Sequence, residues 1–111
     1  MEVKQLTGTI RKVDFKFEGA DEYVCYRLGA INGKLGKWID VHKEDREAMA
    51  QLTERAVTDW SLTDGGEKVL PTIEMIDKYG IPTPFLSLIM EEVFMDANPS
   101  KLRGATSGAA S

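Results

Sequence analysis

The segment "PFLSLIMEEVFMDA", Pro84 to Ala97, constrains the fold more than any other, because it is helical and apolar on more than one side. Pro82 and Pro84 bracket Thr83, which places Thr83 as N-cap and Pro84 at the first helical position, and Asn98-Pro99 closes the helix. Projected at about 100° per residue, Leu86, Ile89, Met90, Val93 and Phe94 form one broad stripe. Leu88 and Met95 fall on a separate side, flanked by Ser87 and Glu91. Two readings follow. Either a sheet covers one side of this helix and an earlier helix the other, or Leu88 and Met95 line a surface for a client or a second copy.

The upstream sequence supplies both kinds of cover. "KVDFKFEG" alternates Val13, Phe15 and Phe17 with Lys12, Asp14, Lys16 and Glu18, the period-two pattern of a half-buried strand. After the polar turn "EGADE", "YVCYRL" resumes with residues suited to a pleated surface, so the two runs make a hairpin. Asn32-Gly33 and Gly36 provide a second turn, and "KWIDV" reads as a third short strand. Gly8 marks a bend in a first strand starting near Val3. In "EDREAMAQLTERAV", Ala48, Met49, Leu52 and Ala56 share one side at helical spacing, with Glu44 and Asp45 at the positive end of the helix dipole. Thr72 caps a short helix, "IEMIDKY", which Gly80 ends. The expected architecture is α+β: a small antiparallel β-sheet (hairpin plus third strand) followed by three helices, in one domain over 1–99. Small and polar residues from Ser100 onward predict a flexible C-terminal tail over 100–111.

Composition narrows the function. A net charge of −4 argues against nucleic-acid binding, which draws on concentrated Lys and Arg. No secretory signal and no window near the roughly 20 apolar residues of a membrane helix is visible, so a soluble intracellular protein is expected. The single cysteine, Cys25, is expected to be a buried thiol, and it excludes an intramolecular disulfide or a multi-cysteine metal site. His42, the one histidine, stands without an orienting partner or nucleophile in sequence and reads as a surface or capping residue. No G-x-S-x-G turn and no G-x-x-x-x-G-K-[ST] loop occurs. The expectation is a non-enzyme with no cofactor and no metal. Trp38 is expected to pack in the third strand as a core or edge-covering residue, and Tyr79 to pack with a wet hydroxyl.

One tryptophan stands apart. Trp60 falls in an expected loop among Asp59, Asp64 and Glu67, where it either plugs the core or meets a partner. The succession Val57-x-Asp59-Trp60-x-Leu62, the turn Asp64-Gly65-Gly66, Leu70-Pro71, a short helix and the proline-led helix from Pro84 resembles the tail assembly chaperones of long-tailed bacteriophages, over Val41 to Pro99. The resemblance implies a protein of the host cell cytoplasm that binds the phage tape measure protein, helps recruit tail tube protein around it, and often forms a homo-oligomer. Many such genes also encode a longer, frameshifted form. Met75, Met90 and Met95 lie in the last two helices, where flexible, polarizable methionine suits a client-binding face, with Met90 read as core filling. The candidate partner-binding residues are Leu88, Met95, Phe85 and Trp60. Two alternatives remain: a small structural virion protein, a neck, tail or head-completion component whose hairpin adds strands to a neighbour, and a phage adaptor or inhibitor of a host protein.

Overall fold

The computed structural model describes residues 9–98. The bend expected at Gly8, the strand start near Val3 and the tail from Ser100 lie outside them. Strand β1 (Ile10–Phe17) pairs antiparallel with β2 (Ala20–Arg27), with Phe17 opposite Ala20. The turn is the two residues Glu18 (φ 52°) and Gly19 (φ 84°), both in the left-handed region that matches the twist of paired strands. The expected alternation holds: Phe15 is buried, Val13 and Phe17 half-buried, and Lys12, Asp14 and Lys16 exposed. In β2 the same period buries Val24 and Tyr26 completely and turns Cys25 to the other face. Cys25 is therefore half-buried, not the buried thiol expected from its strand-like setting.

The stretch expected as a third strand is instead a helix. After a 3-10 turn (Leu28–Ala30), Asn32 accepts a hydrogen bond from the Lys34 N–H through its side chain (3.0 Å) and helix α1 (Leu35–His42) begins. A short apolar run cannot separate the two periods by pattern alone. Packing decides it here: Leu35 and Ile39, four apart, are buried, whereas Trp38 and Val41 lie outside at 36% and 71% exposure. Trp38 is thus neither a strand nor a core residue. Gly36 is helical, and its role is close approach: a Cβ there would meet Phe94 Cζ at 2.6 Å.

Helix α2 (Arg46–Ala56) has Asp45 as N-cap, its side chain accepting from Ala48 N–H at 3.1 Å. Met49, Leu52 and Ala56 are buried as the spacing predicts, joined by Ala50 and Thr53. The third strand follows directly: β3 (Val57–Trp60) pairs antiparallel with β2, placing Trp60 opposite Val24, in a sheet of order β1-β2-β3 with an irregularity at Cys25/Tyr26. Trp60 therefore belongs to a strand, not a loop. β-Branched Val57 and Thr58 leave the helix for extended structure without a glycine or proline to announce it. A second small hairpin, β4 (Thr63–Asp64) and β5 (Glu67–Lys68), turns on Gly65 and Gly66, both at positive φ.

Two more helices follow, making four among the described residues where three were expected. Thr72 caps α3 (Ile73–Lys78), accepting from Met75 N–H at 3.2 Å, and Gly80 takes φ 60° after its end, as read from sequence. Helix α4 (Thr83–Ala97) starts one residue earlier than expected, with Pro82 as cap. It is the centre of the molecule. It packs against β1 and β2 on one side and against α1 and α2 on others. Leu86, Ile89, Met90 and Val93 of its broad stripe have no exposed surface.

Side-chain ties hold the layers together. Tyr26 donates its hydroxyl to Asp96 Oδ2 (2.6 Å), and Arg11 Nε reaches the same oxygen (2.9 Å), fixing the end of α4 to the hairpin. Arg46 donates to the carbonyls of Ile76 and Ile81, binding α2 to the α3–α4 link, and Ser87 donates to the Lys43 carbonyl.

Candidate functional site

Three sides of α4 are occupied, which isolates the fourth. Phe85, Ile89 and Asp96 point toward the sheet, Leu86, Met90 and Val93 lie in the core, and Phe94 meets Gly36 of α1. At about 100° per residue the remaining arc carries Pro84, Leu88, Glu91 and Met95, with Glu92 at its border on the sheet side. Leu88 rests partly on the core, and both Leu88 and Met95 are half-buried. Beside them, Gly36, Lys37 and Asp40 of α1 face Glu91, Phe94 and Met95 across a groove of about 390 Å³. Toward the start of α4, Lys43, Glu44, Thr83, Pro84 and Ser87 line a second depression.

The electrostatics of this face are uneven. Burial, and then the adjacent charge of Glu91, push the Glu92 carboxyl above its usual range. The face therefore offers two apolar footholds one heptad apart and an acidic pair between them.

The four candidate residues separate into two groups. Leu88 and Met95 share the outer arc of α4, as their spacing predicts. Trp60 and Phe85 do not join them: at 0% and 4% exposure they are core residues, with ring centroids 6.0 Å apart. The Trp60 Nε1–H donates to the Val69 carbonyl, so its one polar atom is also satisfied inside. Glu92 was missed, although its position four after Leu88 already places it on that face.

Other clusters are structural. Lys68 Nζ bridges Asp59 Oδ1 (2.8 Å) and the Trp60 carbonyl (3.1 Å) and sits over the Tyr23 ring, and its hydrogen bond holds the Asp59 carboxyl below its usual range. Ser61 donates to Glu22 Oε1 (2.6 Å), fastening β3 to β2. His42 donates a hydrogen bond from its Nδ1–H to the Trp38 carbonyl (2.8 Å) and stacks on the Trp38 ring. Among the described residues no group of three or more His, Cys, Asp or Glu could hold a metal ion, and no helix is long and apolar enough to cross a membrane. Comparison of the chain with protein-family models, curated proteins and solved structures finds no match.

Proposed function

We propose that this protein is a non-enzymatic tail assembly chaperone of a long-tailed bacteriophage, acting in the host cytoplasm by holding a helical segment of the tape measure protein on the outer face of α4. The observation that carries the reading is the half-exposed arc of Leu88, Glu91 and Met95, bordered by Glu92, beside the α1 groove. An amphipathic client helix would set apolar residues one heptad apart on Leu88 and Met95 and a Lys or Arg between Glu91 and Glu92. Methionine at one foothold tolerates varied client side chains. The sequence resemblance over Val41 to Pro99 supports the same class and adds the tail tube protein as the subunit recruited next.

The test is capture of co-expressed tape measure fragments. Met95→Glu is expected to abolish capture while leaving the unfolding midpoint near the wild-type value, whereas Leu88→Glu, which also loses a core contact, is expected to abolish capture and lower the midpoint. Retained capture by both variants would reject the α4 face. A second reading, a small structural virion protein, is favoured by one observation: β1, eight residues long, pairs only with β2 among the described residues, leaving its outer edge open for a neighbour's strand. Mass spectrometry separates the two. A chaperone is present in infected-cell lysate and absent from mature particles, whereas a virion protein is stoichiometric in the particles.

A further inference from the structure

Helix α1 turns a second, opposite kind of face to solvent. Lys34, Trp38 and Val41 recur at four- and three-residue spacing along its outer side, with Val41 71% and Trp38 36% exposed. Arg55, in the last turn of α2, stands beside them: it lines with Asn32, Lys34, Leu35 and Trp38 a hollow of about 300 Å³. Behind it, Arg27 donates to the Arg55 carbonyl at 2.9 Å, bringing a further cation to this end of the molecule. Among the described residues, no carboxylate lies within ion-pair distance of Lys34, Arg27 or Arg55, although the chain as a whole carries −4. Asp40 faces the α4 groove instead, and Glu54 projects about 100° away from Arg55 around α2.

We propose that this face is a docking site for an acidic peptide segment of another protein, with an aromatic or aliphatic side chain seated in the hollow against Trp38 and Leu35 and carboxylates meeting Lys34 and Arg55. Charge complementarity selects the occupant. Unpaired cations around exposed apolar side chains fit a partner that is acidic and apolar together. A nucleic acid fits less well, because exposed Val41 and the Leu35 wall of the hollow match an apolar side chain rather than a phosphate backbone. One side of the Trp38 ring is already taken by His42, at 4.2 Å between centroids, which fixes the ring as a rigid wall. This site is separate from the α4 face and does not depend on the chaperone reading.

The probe is a short fluorescein-labelled peptide of glutamates around a central phenylalanine and leucine, followed by fluorescence anisotropy at low salt. The expected result is saturable binding that weakens about tenfold or more in Lys34→Glu, Arg55→Glu and Trp38→Ala, with circular dichroism unchanged because all three side chains lie at the surface. A lysine-for-glutamate version of the peptide should not bind. Equal binding by that version, or no effect of the three substitutions, would overturn the proposal. So would tighter binding of oligothymidylate, which would make the face a nucleic-acid site. A concentration-dependent increase in mass lost on Trp38→Glu, without peptide binding, would assign the face to a second copy of the chain.

Discussion

The indole of Trp60 shows how a single side chain organises this fold. It is fully buried, its ring meets Phe85 of α4 edge-on, and its N–H is satisfied by the Val69 carbonyl just past the small β4–β5 hairpin. Truncating it removes a large volume and leaves the Val69 carbonyl without its donor. Trp60→Ala is therefore expected to cost about 3–5 kcal/mol, read as a lowered urea midpoint at unchanged slope. Near-zero loss accompanied by failure to bind a partner would return Trp60 to the surface. Its burial was one of two readings open in sequence. What hid the answer was its neighbours: Asp59, Asp64 and Glu67 made the stretch look like a loop, whereas those side chains alternate outward from a strand and a hairpin.

Among elements, the contact between α1 and α4 was the least legible. "KWIDV" carries β-forming residues, and nothing local shows that only Leu35 and Ile39 will find a core. Gly36 looked like a turn residue because sequence cannot distinguish a glycine needed for φ from one needed for space. The α4 stripe, the hairpin and the α3 caps were legible, since each rests on local period or capping chemistry. The outer arc was legible for the same reason, but the groove beside it required knowing that α1 exists. Gly36→Ala tests the packing. Alanine ordinarily favours a helix by about 1 kcal/mol over glycine, but here its Cβ would lie 2.6 Å from Phe94 Cζ. The expected net result is a loss of about 1 kcal/mol, since overpacking costs more than propensity returns. In a Phe94→Leu background the same change should become neutral or stabilising, which a double-mutant cycle reads directly.

For the whole molecule, stability should depend on pH in a way set by two ties between layers. Burial, and then the hydrogen bond to Asp96, raise the Tyr26 phenol above its ordinary value near 10, while the Lys68 hydrogen bond lowers Asp59. A raised phenol contributes stability fully present below about pH 10 and lost as pH climbs through the folded value. A lowered carboxyl contributes stability present above about pH 4 and lost as pH falls through the folded value. Glu92 works against the acid loss, because its raised carboxyl favours the fold at low pH. Urea midpoints should thus be level near neutrality and fall above pH 10. Tyr26→Phe should flatten part of that alkaline fall while lowering the neutral midpoint. A wild-type midpoint unchanged to pH 11 would contradict the Tyr26 assignment.

The central position of α4 has a further consequence during synthesis. Ribosomes make the chain from its N-terminus, and α4 is the last of the described elements to emerge. The hairpin and α2 can form early because their contacts are local, but the inner face of the sheet and the buried side of α2 have nothing to close upon until Val93 has left the exit tunnel. The nascent chain therefore carries these apolar faces uncovered until α4 emerges, and the core closes in one late step.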